Sequence, residues 1–146
     1  MQRILFICTG NTCRSAMAEA LVKHKYPEVD VQSAGVLAGS GQAANDHAVE
    51  ALKQQGISCN HTSQPVTREL LNWADLILTM TEQHRQMLIT EYPQMEEKAH
   101  TLRGYAFKNN KSVDIKDPIG SSIETYEATL KEMEEAVDEI FTRQEK

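Results

Sequence analysis

The apolar positions of this chain follow two rhythms. Short apolar blocks recur along it, and between them apolar residues return every three or four positions. Residues 3–8, RILFIC, form the first block and predict a buried strand. Residues 29–34, VDVQSA, alternate with period two and predict a second strand. Residues 75–80, DLILTM, predict a third, covered on both faces, and residues 98–102, KAHTL, a shorter fourth.

The helical rhythm begins at Ser15 and runs to about Lys25. Met17, Ala18, Leu21 and Val22 make one stripe there, and Glu19 and Lys23 stand as an i,i+4 pair. A second helix is predicted over 44–55, stopped by Gly56. A short one spans Thr67 to Ala74 with Thr67 as N-cap, and another runs from the cap Thr81 to about Glu91, before Pro93. The last helix starts at Ser121 or Ser122 and aligns Ile123, Tyr126, Leu130, Met133, Val137, Ile140 and Phe141. Residues 104–120 hold glycine, asparagine, lysine and Asp117-Pro118, and predict a long irregular loop of the kind that is often functional.

Alternating strands and helices of these lengths predict an α/β fold: a small, doubly wound parallel sheet with helices on both faces, one domain over residues 1–146. In such sheets ligands bind beyond the carboxyl ends of the strands. The first strand ends at Cys8, and the loop holding Asp117 precedes the last helix.

Composition narrows the function classes. With 40% hydrophobic and 25% charged residues in 146, the chain is neither disordered nor fibrous. The longest apolar run, Ile4 to Cys8, is far below the ~20 residues of a membrane helix. Nor do residues 1–20 carry a secretory signal, so the expectation is a cytoplasmic protein with no membrane partner. Net charge is −6, but Ser121 to Lys146 alone carries eight acids and three bases. The rest is close to neutral and can hold an anion, while no basic stripe suggests nucleic acid. Cys8, Cys13 and Cys59 are too few for a disulfide framework and lack zinc spacing. The five histidines are scattered and read as structural or surface residues, so neither metal nor cofactor is expected.

The segment that changes the picture is Cys8-Thr9-Gly10-Asn11-Thr12-Cys13-Arg14-Ser15, between the first strand and the first helix. Gly10 and Asn11 tolerate positive φ, so the loop can wrap with its backbone N–H groups turned inward. Together with the start of the helix these donors make an anion cradle, and Arg14 can add a planar fork of donors to two phosphate oxygens. A thiol at the base of such a cradle is a poised in-line nucleophile, and the Ser15 hydroxyl can donate to it. A leaving group then needs a proton donor, for which Asp117 is the candidate and Asp114 its rival. The Walker-type nucleotide loop is excluded, because no lysine stands in the segment.

On these residues, CTGNTCRS near the N-terminus and the late Asp-Pro loop, the chain resembles the low-molecular-weight protein tyrosine phosphatases over essentially its whole length. The resemblance implies a four-stranded sheet in order 2-1-3-4 and a metal-free, cofactor-free reaction. It implies that Cys8 forms a phosphocysteine, that Arg14 binds the phosphoryl oxygens with the loop residues Thr9, Gly10, Asn11, Thr12, Cys13 and Ser15, and that Asp117 protonates the leaving group and then activates water. It also implies that Asn11, Ser15 and His61 brace the loop. Phosphotyrosine-specific members usually place two aromatic residues after the acid and proline, and often a bulky aliphatic one in mid-loop. Here Ile119-Gly120 and Thr12 stand at those places, as in the bacterial protein arginine phosphatases of the family. Ala16 replaces the usual proline after Arg-Ser.

The resemblance therefore implies a monomer acting on arginine-phosphorylated proteins, with tyrosine-phosphorylated proteins as the alternative. Arsenate reductases share a similar loop but need two further cysteines, and only Cys59 lies outside the loop. A non-catalytic phosphate-binding domain would not need Cys8, Arg14 and Asp117 together. Finally, Cys8 and Cys13 share one wrapped loop, which could bring their Cα atoms within the ~4.4–6.8 Å of a disulfide. Reversible oxidation is expected from this.

Overall fold

Five successive buried residues of strand β1 (Arg3–Cys8) divide by side, as a pleated strand must. Ile4, Phe6 and Cys8 enter one hydrophobic core, and Leu5 and Ile7 enter another. β1 pairs in parallel with β2 (Asp30–Gly35) on one side and β3 (Leu76–Thr79) on the other, and β4 (Ala99–Thr101) pairs with β3. The sheet order is thus β2-β1-β3-β4. The computed structural model describes residues 2–108 and 114–144.

Helices α1 (Arg14–Lys25), α2 (Asp46–Gln54), α5 (Leu102–Phe107) and α6 (Ile123–Gln144) cover the face of Ile4 and Phe6. From them Met17, Leu21, Leu52, Leu102, Tyr126, Leu130 and Met133 fill the larger core. Helices α3 (Arg68–Trp73) and α4 (Glu82–Glu91), with a 3-10 turn over Pro93–Lys98, cover the other face through Leu71, Leu88 and Met95. The chain leaves β1 through α1 on one face and reaches β3 through α3 on the other. The crevice at the carboxyl end of β1 lies where these connections part, which is where a doubly wound sheet binds its ligand.

Local chemistry sets the boundaries. Thr67 and Thr81 cap α3 and α4 by accepting the N–H groups of Leu70 (3.2 Å) and His84 (3.1 Å). Gly56 ends the second helix with a φ of +74°, a conformation glycine adopts without penalty. Three expectations are corrected. α1 begins at Arg14, one residue early, and α6 begins at Ile123, one or two late. Part of the expected irregular loop is helical: Leu102–Phe107 forms α5, with the Thr101 hydroxyl accepting the Gly104 N–H at 3.1 Å. Leu102 and Ala106 sit four apart on its buried face, a stripe too short to show as periodicity. Of that loop, residues 109–113 lie outside the described residues, and 114–120 are irregular. No helix among the described residues is long and apolar enough to cross a membrane.

Candidate active site

The loop between Cys8 and Arg14 is built around one buried asparagine. Asn11 takes a φ of +57°, where asparagine is tolerated better than other side chains. Gly10, expected to share that role, is not in the left-handed region. Asn11 holds the loop with every polar atom of its side chain. Its amide donates to Ser15 Oγ and Ser33 Oγ, both at 2.8 Å, and its Oδ1 accepts the Gln64 N–H at 2.9 Å. The Asn11 carbonyl accepts His61 Nε2–H at 2.5 Å, so the expectation that His61 braces the loop agrees with the geometry. The Ser33 hydroxyl in turn donates to Glu19, whose carboxylate lies 3.8 Å from His61 Nδ1.

This network has a direction. Because Asn11 donates to Ser15 Oγ, the serine proton is free to point to Cys8 Sγ, 2.8 Å away. The bonds run outward from the Asn11 amide, through Ser33 to Glu19 on one side and through Ser15 on the other, where the serine proton meets the sulfur. The sheet adds support from behind. The Cys8 carbonyl accepts the Val36 N–H at 2.9 Å, and the Thr12 carbonyl accepts the Asn45 N–H at 2.7 Å. Gly35 lies so close that a Cβ on it would stand 2.5 Å from the Thr9 carbonyl oxygen and 3.0 Å from the Asn11 nitrogen.

The inner surface of the loop is left for a ligand. The backbone N–H groups of Gly10 through Ser15 have no partner among the described residues. They line a cradle that continues into the N-terminus of α1. Arg14 is 4% exposed, and its guanidinium is held by the Ile115 carbonyl, which accepts Nη1–H at 2.9 Å. Its Nη2 stands 3.6 Å from Asp117 Oδ2. One buried cation thus links the loop, the thiol end of β1 and the late acidic loop.

The two rival acids separate here. Asp114 Oδ1 accepts the Glu82 N–H at 2.8 Å, so it caps the first turn of α4. The Ile115 N–H reaches the Met80 carbonyl at 2.8 Å and pins the segment to the end of β3. Asp117, three residues beyond Asp114, faces Arg14 with its side chain 44% exposed. Its Oδ1 accepts the Ile119 N–H at 3.0 Å, an Asx turn that fixes the carboxylate.

Three further residues of the site were read too blandly or not at all. His84 is buried and its Nε2 meets the Thr9 hydroxyl at 2.8 Å. Burial, reinforced by the charge of Arg14 and opposed by Asp114 and Asp117, pushes its pKa down to about 4, so the ring is neutral near pH 7. Its Nδ1 has no partner among the described residues. The signal was its place in the first turn after β3, a central strand ending beside β1. Tyr126, part of the stripe of α6, is buried beside the Cys13 thiol. Burial first, and then Cys13, drives the Tyr126 pKa up to about 12, and burial drives that of Cys13 up to about 12. Glu19, read as the partner of Lys23, keeps that bond at 2.5 Å while also taking Ser33.

Thr12 is half-buried, and its hydroxyl has no partner among the described residues. Its Oγ1 lies 3.8 Å from where a Cβ on Gly10 would stand, so it turns along the loop.

A strand ending in a thiol, a wrapped loop of free N–H groups, a buried arginine and a facing carboxylate make a site for a tetrahedral oxyanion. Residues 3–146 match the family described as low molecular weight phosphotyrosine protein phosphatase, and the chain belongs to that family. It is 43% identical over 139 residues to a protein-arginine-phosphatase of Geobacillus stearothermophilus, covering 94% of this chain and 93% of the relative. It is 44% identical over 141 residues to a protein-arginine-phosphatase of Bacillus subtilis (strain 168), covering 94% and 93%. Among solved structures it is similar to the YwlE arginine phosphatase, in a cysteine-to-serine mutant with a phosphorylated active-site serine. That match has a TM-score of 0.94 and 42% identity, over 99% of this chain and 96% of the other.

Proposed function

We propose that this chain hydrolyses phosphoarginine on proteins through a phosphocysteine at Cys8. The phosphoryl group rests in the N–H cradle from Thr9 to Ser15, with Arg14 on two of its oxygens. The Cys8 thiolate attacks phosphorus in line with the P–N bond. That bond breaks as the S–P bond forms, and Asp117 gives its proton to the departing guanidine nitrogen. Water then attacks phosphorus while Asp117 takes a proton from it, the S–P bond breaks, and the thiolate returns with phosphate released. Ser15, oriented by Asn11, stabilises the sulfur in both halves.

The observation that carries this reading is the one hydroxyl the loop does not use. Thr12 Oγ1, unpartnered in mid-loop, can accept from a guanidinium where an aliphatic side chain could not. Ile119-Gly120 after Asp117-Pro118 leaves no aromatic wall for a phenyl ring at that place, and the phosphoserine relative supports a covalent step at its equivalent residue. The alternative, phosphotyrosine hydrolysis by the same steps, has the family description and relatives of lower identity behind it, such as the 34% identical protein-tyrosine-phosphatase of Staphylococcus haemolyticus. One catalytic domain over 1–146, acting as a monomer in the cytoplasm, goes with this reading.

The test is turnover of phosphoarginine and phosphotyrosine on matched peptides by the wild type and Thr12→Ile. A hydrogen bond to a charged group is worth about 1.5–3 kcal/mol, or roughly ten- to a hundredfold in specificity. Thr12→Ile should lower kcat/KM on phosphoarginine by that factor and leave phosphotyrosine unchanged or better. Equal losses on both would mean that the hydroxyl braces the loop.

A further inference from the structure

The large apolar side chains exposed among the described residues are Leu37 at 71%, Ile119 at 61% and Met87 at 38%. They are not scattered. The Leu37 N–H donates to the Thr9 carbonyl at 3.0 Å, and the Ile119 N–H donates to the Asp117 carboxylate. Met87 lies one turn along α4 from His84, whose ring meets the Thr9 hydroxyl. Leu37 and Ile119 are thus bonded through their backbones to residues of the site, and Met87 shares a helix with His84. Apolar surface gathered in this way marks an interaction site rather than incidental exposure.

Two of the three line one feature. Leu37 and Met87, with Val36, Val66, Leu88 and Tyr92, wall a groove of about 250 Å³. The N–H groups of Val36 and Leu37 donate to the Cys8 and Thr9 carbonyls at 2.9 and 3.0 Å, so one wall of the groove is tied to the start of the phosphate loop. The charged residue on the wall is Glu91. If the substrate is a protein, as proposed above, its phosphorylated side chain enters the cradle and the residues around it must lie across this rim. The groove shares Val36 and Leu37 with the backbone that holds Cys8 and Thr9, and is apolar on most of its wall and acidic at one point.

We propose that this groove binds one aliphatic side chain of the substrate protein, a few residues from the phosphorylated one, and that Glu91 disfavours acidic residues there. The proposal rests on the reading of the chain as a protein phosphatase and adds which protein segments it prefers.

Phosphoarginine peptides with a glycine-serine background test it, with a single leucine moved through each of the four positions on either side of the phosphorylated residue. Leucine at one register should raise kcat/KM about tenfold over glycine, the order of gain from burying one aliphatic side chain, and glutamate there should lower it. The double variant Leu37→Ser/Met87→Ser, both side chains exposed, should lose that gain. Its turnover of p-nitrophenyl phosphate and of the glycine-serine peptide should match the wild type. A flat leucine scan would overturn the proposal, as would a gain that survives in the double variant. So would a wild-type dimer, seen by sedimentation, that the double variant dissociates, because a second copy would then cover the groove. If no phosphoarginine peptide is turned over while phosphotyrosine peptides are, it is the assigned leaving group that fails. The same scan on phosphotyrosine peptides then decides the groove.

Discussion

Replacing His84 by glutamine should change how the stability of the protein depends on pH. His84 is 5% exposed and its pKa is held at about 4 by burial and by Arg14, against an ordinary 6.5. The native state therefore resists protonation while the unfolded chain accepts it. Stability from this group is complete above pH 6.5 and is lost as pH falls toward 4, because the unfolded state binds the extra proton. At pH 5 the loss relative to pH 7.5 is about 2 kcal/mol, and it approaches ~3 kcal/mol below pH 4. Glutamine keeps an amide able to bond the Thr9 hydroxyl and has nothing to titrate. Urea unfolding of both proteins from pH 7.5 to 4.5 isolates the effect, since the other titrating groups are common to both. The wild type should lose about 2 kcal/mol more than His84→Gln by pH 5. Parallel curves would show that the ring is hydrated or already charged in the native protein, and would refute the account of its burial.

Other outcomes follow from the same geometry. Asp117→Asn should slow phosphoarginine turnover far more than that of p-nitrophenyl phosphate, whose leaving group hardly needs a proton, whereas Asp114→Ala should lower stability through the lost cap of α4 and spare the leaving-group dependence. Gly35→Ala puts a methyl 2.5 Å from the Thr9 carbonyl, so the loop must move; a loss of about 1–3 kcal/mol in thermal unfolding with a fall in kcat is expected, and an unchanged kcat would mean that the loop yields freely. After peroxide converts Cys8 to a sulfenic acid, condensation with the Cys13 thiol gives a disulfide and water. With the Cys13 pKa at about 12, that step should quicken roughly tenfold per pH unit between 7 and 9, and a pH-independent rate in thiol titrations against a Cys13→Ala control would exclude Cys13 as the resolving thiol.

The fold was legible because its signals are local. The unbroken apolar run in RILFIC, the Thr caps before α3 and α4, and a seven-residue stripe on α6 each act within a few residues, and each element formed close to its signal. α5 was hidden for the same reason: two turns with two buried residues carry no period, and it is Thr101 and packing against α6 that hold it. Its sequence, LRGYAF, even contains a glycine, which local reasoning counts against a helix.

The site divides along the same line. Cys8, Asn11, Arg14 and Ser15 belong to one short segment, so their convergence could be read from the residue types and the strand and helix on either side of them. What the segment could not reveal is the set of partners that make it rigid, because these come from other elements: Ser33 from β2, His61 and Gln64 from the connection after α2, His84 from α4 and Ile115 from the late loop. A lone histidine or serine carries no sign of such a partner in its own neighbourhood. The choice between Asp114 and Asp117 shows the limit most plainly. Both are acids in one loop, three residues apart, and nothing in their residue type separates them. The separation comes from Asp114 capping α4, which uses its carboxylate and sets the chain between them. That leaves Asp117 as the carboxylate facing Arg14, which is why the proposed mechanism gives it the proton for the leaving group.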